Sequence, residues 1–267
     1  MSRIAVVTGA SSGIGKATAA LLAEHGYQVI GTSRNPDTIP ADARVAGVEY
    51  RALDLTDKAS IDSFRTGLDR VDVLVNNAGE SQAGPLTDLP DTAIDRLFQL
   101  NVLGPIALTR ALLPGMRERG YGRVVMVGSM LASFPMPYRS SYAATKAALR
   151  NFATAARFEE SPFGVWLTTV EPGQTNTGLW ERRTRYLTEN SVHTTDFTTF
   201  MEILDAKQTK GIAPEKVAAL IRTAIEADRP RSLYAIGNNA PLMFTARRLL
   251  PRTIMERLIA RTHGISR

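Results

Sequence analysis

Cysteine is missing from all 267 positions, which excludes disulfides, thiolate metal sites and thiol chemistry together. Histidine is scarce. His25, His193 and His263 stand far apart, without the spacing of a metal site, so no metal is expected. Long apolar runs are lacking too. The first, Ile4-Ala5-Val6-Val7, is too short for the core of a signal peptide and leads straight into glycines. None is read as long enough to span a bilayer, so a cytoplasmic protein is the expectation. Internal repeats and Pro/Gly/Ser-rich linkers are also absent. With 44% hydrophobic and 22% charged residues, the chain can bury one large core.

Charge of one sign is in excess, at +6, but the excess is local. Arg247, Arg248, Arg252, Arg257, Arg261 and Arg267 face a single acid, Glu256, across 241–267, which leaves the first 240 residues close to neutral. A nucleic-acid binder would spread basic residues over a folded face and carry a reading motif; no such motif is found, and no nucleic-acid partner is expected. The tail alternates its arginines with Leu249, Leu250, Ile254, Met255, Leu258 and Ile259 at helical spacing, starting near Pro251, which suits a first helical turn. Such a basic amphipathic helix can rest on an anionic membrane surface or an acidic ligand. Packing on its own domain or on a partner subunit is the reading preferred here.

What the chain does have is alternation. Short apolar runs at 3–8, 28–32, 49–52, 71–76, 122–128, 165–171 and 232–236 are strand candidates, with helical stretches between them near 14–25, 58–69, 91–117, 141–160 and 214–227. This order predicts an α/β fold, a Rossmann-type doubly wound parallel sheet of about seven strands with helices on both faces. One domain is assigned to 1–240, with a basic amphipathic helical extension over 241–267. The longest irregular region is 173–211, and a loop of that length inside a compact domain reads as a lid or binding segment, here 177–211.

The first strand runs into Thr8-Gly9-Ala10-Ser11-Ser12-Gly13-Ile14-Gly15-Lys16 and then a helix. Doubly wound folds hold a dinucleotide at this turn. Gly9 permits the sharp exit, Gly13 lets a pyrophosphate approach the backbone, and Gly15 lets the helix pack close to its strand. The unpaired N–H groups of the helix N-terminus then face the phosphates. The Gly-x-x-x-Gly-x-Gly spacing departs from the commoner Gly-x-Gly-x-x-Gly, and a purely structural turn is the alternative.

Tyr142 and Lys146 stand four apart on the helical stretch 141–160, with Ser129 thirteen residues upstream of Tyr142 at a strand end. Residues i and i+4 share a helix face, so the ammonium can lie near the phenol. A free phenol, with a pKa near ~10, is a poor acid or base at neutral pH; a neighbouring cation favours the phenolate. Ser129 can hold a substrate oxygen while Tyr142 moves its proton. Taken alone, the Tyr-x-x-x-Lys spacing also fits an ordinary helix with a half-buried Tyr and a solvated Lys.

The ordered set Thr8–Gly15, Asn76-Asn77-Ala78-Gly79, Asn101, Ser129, Tyr142-x-x-x-Lys146 and Pro172-Gly173 resembles the short-chain dehydrogenase/reductase family over roughly residues 3–236. The resemblance implies that Ser129 bonds the substrate oxygen, that Tyr142 is general acid in reduction and general base in oxidation, and that Lys146 lowers the Tyr pKa and holds the nicotinamide ribose. Asn101 would help hold a water linking Lys146 to solvent. Cofactor contacts would come from Gly9, Ser11, Ser12, Gly13, Ile14 and Gly15, from Asp54 and Leu55 at the adenine, from Asn77, Ala78 and Gly79 at the adenosine ribose, and from Tyr142 and Lys146. Pro172, Gly173, Thr175 and Thr177 would hold the carboxamide. Thr56 or Asp57 is better placed than Asp54 to cap the helix at 58–69.

After the second strand comes Ser33-Arg34 where an acid would select NAD. A serine and an arginine accommodate a 2′-phosphate, so the expected cofactor is NADP(H); an exposed surface Arg is the alternative. Met130, Leu131, Phe134, Met136 and Tyr138, with Leu179, Trp180, Tyr186, Phe197 and Phe200, either form an apolar pocket or pack a lid. Glu171 is left outside the catalytic set. Pro162-Phe163-Gly164 and the long C-terminus are similar to the steroid and retinol dehydrogenase branch, which implies a hydrophobic alcohol or ketone as the small-molecule partner. A homodimer or homotetramer follows from the family. The competing function is a non-catalytic NADP(H)-binding sensor or scaffold.

Overall fold

The computed structural model describes residues 2–179, 181–208 and 211–265. In chain order it contains β1 (Ile4–Val7), α1 (Gly13–Glu24), β2 (Gln28–Ser33), β3 (Val48–Ala52), α2 (Lys58–Thr66), β4 (Val73–Asn76) and β5 (Gln82–Ala83). Then come α3 (Asp91–Phe98), α4 (Gly104–Glu118), β6 (Gly122–Val127), α5 (Ser140–Glu160), β7 (Val165–Pro172) and β8 (Thr184–Arg185). The remainder is α6 (Thr194–Gln208), α7 (Pro214–Glu226), β9 (Leu233–Ile236), α8 (Ala240–Leu249) and α9 (Arg252–Thr262).

Seven strands form one parallel sheet in the order β3-β2-β1-β4-β6-β7-β9. The chain order reverses between β1 and β4, and crevices for ligands in such sheets open at the carboxyl ends beside that reversal. Side chains alternate between two cores, as the two-residue period of a strand requires. Val6, Leu74, Val124, Met126 and Leu167 point to the side covered by α2, α4 and α5, with Ile61, Phe64, Leu108, Met116 and Leu149. Ala5, Val7, Val73, Val75, Val125 and Val127 point to the other, where Ala19 and Leu22 of α1 meet Val217, Ile221 and Ile225 of α7. Burial on both faces makes these strands read as continuous apolar runs.

Three elements differ from the expectations above. The stretch 173–211 is not irregular throughout, because α6 fills its second half and β8 pairs with β5 in a separate small sheet. Phe197, Phe200, Met201 and Leu204 recur on one face of α6 and close a buried cluster with Ala83, so packing overrides the weak helix propensity of the threonines around them. The helix expected at 91–117 is interrupted by a π-helical turn, Gln99–Leu103. The whole run Asp91–Glu118, 28 residues, is long and apolar enough by composition to cross a membrane, contrary to the expectation of no such stretch. In this fold Leu97, Val102, Leu108, Leu112 and Met116 of that run are buried.

The basic tail forms two helices rather than one. Pro251 sits at the N-cap of α9, and Met255 and Ile259 turn inward onto Met130 and Phe134 of the main body, joined by Met243 and Phe244 of α8. Leu249, Leu250, Ile254 and Leu258 stay exposed, and Arg267 lies outside the described residues.

Candidate active site

Tyr142 and Lys146 both lie in the buried stripe of α5. Tyr142, Lys146, Leu149 and Ala153 are all buried and follow one helical face, and the last two anchor that face in the core beneath the sheet. Lys146 Nζ donates to Val127 O at 3.0 Å and stands 5.8 Å from the centroid of the Tyr142 ring. That bond ties α5 to the end of β6. Two residues beyond Val127, Ser129 caps the short turn Met130–Ala132, its Oγ accepting the Leu131 N–H at 3.2 Å. Ser129 and Tyr142 are each 8% exposed and Lys146 5%, so ionic and polar contacts among them act with little solvent screening.

Asn101 lies in the π-helical turn, a feature that concentrates at functional positions. Its Oδ1 accepts the Glu80 N–H at 3.0 Å, and its Nδ2 donates to Glu80 O at 3.0 Å and to Thr145 Oγ1 at 3.3 Å. Asn101 therefore binds the chain after β4 to α5 behind Tyr142, and Gly79 passes so close that a Cβ there would sit 2.9 Å from Asn101 Oδ1.

A cavity of about 1150 Å³ runs along the carboxyl edge of the sheet. Gly9, Ser11, Ser12, Gly13, Ile14, Ser33, Arg34, Asp54, Leu55, Asn77, Ala78 and Gly79 line one part, and Ser129, Tyr142, Lys146, Pro172, Gly173, Thr175 and Thr177 line the rest. Gly15 and Asn101 stand behind the wall. Gly9 and Gly13 both have positive φ, +66° and +54°, and a Cβ on Gly13 would meet Thr177 Cβ at 2.9 Å. The turn is locked from behind: Thr8 Oγ1 accepts the N–H groups of Asn77 at 2.9 Å and Ala78 at 3.0 Å, and Asn77 Nδ2 donates to Thr8 O at 2.9 Å. The carboxamide of Asn77 thus serves the turn itself.

At the far end, Ser33 Oγ is buried with no hydrogen-bond partner among the described residues, while Arg34 beside it is exposed. An orphaned hydroxyl next to a guanidinium is what a bound phosphate ester would satisfy. Asp54 accepts Thr56 Oγ1 at 2.7 Å and Thr56 N at 2.8 Å; the hydroxyl bond first, then the backbone bond and the Arg34 charge, hold its carboxyl below the usual range against the opposing effect of burial. Asp57, as expected, is the cap of α2, accepting the Ala59 N–H at 2.9 Å.

The apolar residues divide. Met130, Leu131, Phe134, Met136 and Leu179 line the cavity, joined by Leu204, Met243, Ile259, Thr262 and His263 from the C-terminal third. Phe197 and Phe200 instead pack edge-on against Tyr138, and Tyr186 pairs its N–H with Ala83 O at 2.9 Å. Trp180 lies outside the described residues. Glu171 is fully buried away from the cavity, accepting Ser133 Oγ at 2.8 Å and facing Arg150 at 3.4 Å, and burial raises its carboxyl above the usual value. Sequence reasoning missed Arg139 and Arg183, both buried in the cavity wall. Arg139 had one signal, standing three residues before Tyr142 on the same helical face; Arg183 had none.

A doubly wound sheet with a glycine turn at its first strand–helix junction, and a buried Ser–Tyr–Lys set at the same edge, defines an oxidoreductase of the dinucleotide-dependent class. The family described as short chain dehydrogenase matches residues 3–187. The chain is 33% identical to human 17-beta-hydroxysteroid dehydrogenase type 1 over 93% of this chain and 79% of that one. A solved short-chain dehydrogenase from Streptomyces avermitilis superposes with TM-score 0.83 at 34% identity, over 98% of both chains. The closed form of serine dehydrogenase, complexed with NADP+, superposes with TM-score 0.72 at 25% identity, over 87% of this chain and 94% of that one. This chain belongs to the short-chain dehydrogenase/reductase family and is similar to its steroid dehydrogenase branch.

Proposed function

We propose that the protein is an NADP(H)-dependent oxidoreductase that interconverts a carbonyl and a secondary alcohol on a hydrophobic small molecule. The observation that carries this reading is the convergence of Ser129, Tyr142 and Lys146, all buried, on one wall of the cavity. The cofactor, when bound, supplies or accepts the hydride. The groups of the chain do the rest. Ser129 Oγ–H donates to the substrate oxygen and fixes it. In reduction the Tyr142 hydroxyl gives its proton to that oxygen, and in oxidation the phenolate takes the proton back. Lys146, held at Val127 O, keeps a cation against the ring and offers its remaining N–H groups to the nicotinamide ribose. Asn101 keeps α5 in register with the chain after β4 through Glu80 and Thr145.

The glycine turn at 9–15, Ser33–Arg34, Asp54–Leu55, Asn77–Gly79 and Pro172–Thr177 hold the cofactor in this reading. The orphaned Ser33 Oγ and the adjoining Arg34 support NADP(H), as does the NADP+ complex of a related fold. Met130, Phe134, Met243 and Ile259 support a hydrophobic substrate, with 177–211 as its lid. Leu103, Phe152, Phe158 and Phe163, half or more exposed around α4 and α5, support assembly as a homodimer or homotetramer. Cytoplasmic residence belongs to the same reading.

The test is Tyr142→Phe. Turnover of a panel of ketones, followed by NADPH absorbance, is expected to fall at least ~10³-fold while NADPH binding changes less than about threefold, because only the proton-bearing oxygen is removed. Full activity in the variant would remove Tyr142 from the mechanism. Tight NADPH binding without turnover by the unmodified chain across broad carbonyl and alcohol chemistry would instead favour a sensor.

A further inference from the structure

Two guanidinium groups are buried in the cavity wall with too few acceptors. Arg139, the residue preceding α5, is 4% exposed, and Arg183, the residue preceding β8, is 7% exposed. Arg139 Nη2 donates to Ser81 Oγ at 2.8 Å, but its Nε has no acceptor among the described residues. Its Cζ lies 4.6 Å from the centroid of the Tyr142 ring, which places the charge beside the reacting hydroxyl's own ring. Among the described residues, Arg183 Nε and Nη1 have no hydrogen-bond acceptor either, and Asp205 Oδ1 stands 3.6 Å from Nη1. The other oxygen of Asp205 is taken by Arg185 at 2.7 Å. Glu80, which also lines the cavity, turns to Arg96 at 3.2 Å. Among the described residues, one carboxylate therefore answers two arginines, and Arg139 has none. Burial first, and then the neighbouring charge of Arg183, pushes Arg139 down to about 9; burial also lowers Arg183 against the pull of Asp205. Buried cations of this kind are strongly unfavourable unless an anion meets them.

We propose that Arg139 and Arg183 form an anion subsite beside Tyr142, and that the substrate carries a carboxylate as well as its reacting carbonyl or alcohol. The class is an amphiphilic oxo or hydroxy acid. The carboxylate accepts N–H groups of the two guanidiniums where Arg139 and Arg183 line the cavity, and the hydrocarbon lies on the wall made by Met130, Phe134, Met243 and Ile259. The proposal takes from the preceding section only the identity of the reacting group.

The test uses the full chain loaded with NADPH. Calorimetric titration compares octanoate with methyl octanoate, and 5-oxooctanoate with its methyl ester, while NADPH absorbance follows turnover of the two ketones. Each acid is expected to bind about tenfold or more tighter than its ester, the preference of a charge-assisted contact in a buried site. In Arg183→Gln that ratio should fall below about twofold, because the acid loses far more than the ester. Arg139→Gln should do the same; should it fail to fold, Arg183→Gln and the rescue by Arg183→Lys decide. Equal binding of acid and ester by the unmodified chain would overturn the subsite, as would an equal loss for both ligands in Arg183→Gln. Tight acid binding without reduction would keep the subsite and count against Tyr142 acting on the ketone of this acid, whereas equal reduction of both ketones without acid preference would keep the carbonyl chemistry and overturn the subsite.

Discussion

Gly15 is the position where one methyl group should do most damage. A Cβ there would stand 2.3 Å from Gly9 O and 2.4 Å from Asn77 Nδ2, and neither atom is free to move. Gly9 forms the turn, and Asn77 Nδ2 is already bonded to Thr8 O at 2.9 Å and to Gly9 O at 3.3 Å. Relieving an overlap of this size costs roughly 1–3 kcal/mol, and breaking either buried bond adds about 1 kcal/mol. The helix-propensity gain of alanine offsets at most about 1 kcal/mol. Gly15→Ala should therefore lose about 2 kcal/mol in urea unfolding of the chain without cofactor. Because the turn lines the cavity, a shift that relieves the overlap also displaces the cofactor-facing backbone, and NADPH affinity in a fluorescence titration should fall at least about tenfold. Gly67→Ala is the control. Gly67 has φ −78°, and the first atom its Cβ would meet is 3.6 Å away, so its stability should stay within about 0.5 kcal/mol of the unmodified chain. Equal urea midpoints for the two variants, with NADPH affinity intact in Gly15→Ala, would refute the account of the turn.

Two further outcomes follow from other parts of the site. Arg34→Asp should weaken NADPH roughly ten- to hundredfold, the loss of one charge-assisted contact at an exposed position, while NADH changes less than about threefold; NADPH affinity left unchanged would contradict the phosphate reading. Burial raises Glu171 above its unfolded value, so its neutral form contributes stability that is complete below the ordinary carboxylate pKa and is lost as pH rises through the folded value. The stability of the unmodified chain relative to Glu171→Gln, read from urea midpoints, should fall as pH rises from about 4.5 to about 7.5. A relative stability that rises would mean that Arg150 stabilises the buried carboxylate more than burial penalises it.

The sheet was legible because its central strands bury both faces and so appear as short apolar runs between helical periods. The Ser–Tyr–Lys set was legible because its spacing survives in one dimension: four residues along a helix, and a strand end just upstream. Other features leave little or no such trace. The π turn that presents Asn101 has the same residue types as a plain helix, and the face of α6 is diluted by Thr194, Thr195, Thr198 and Thr199. Arg183 reaches the cavity from the position just before a two-residue strand, β8, whose partner, β5, lies about a hundred positions earlier. Its burial depends on that pairing and on Asp205 of α6, neither of which is local. The arginines of the tail were visible as a charge run, but their helices close over Met130 and Phe134 through contacts that only the fold creates.

The placement of α9 has a consequence for how such a protein can change. The matched family region ends at residue 187, yet Leu204, Met243, Ile259 and Thr262 of the cavity wall all lie beyond it. In the proposed function, the nucleotide cradle and the proton-transfer groups sit in one length of chain, and much of the mould around the substrate sits in another. On that reading, substitutions near the C-terminus would reshape what the enzyme accepts without disturbing how it reacts. The last helix would work as a replaceable jaw on a fixed anvil.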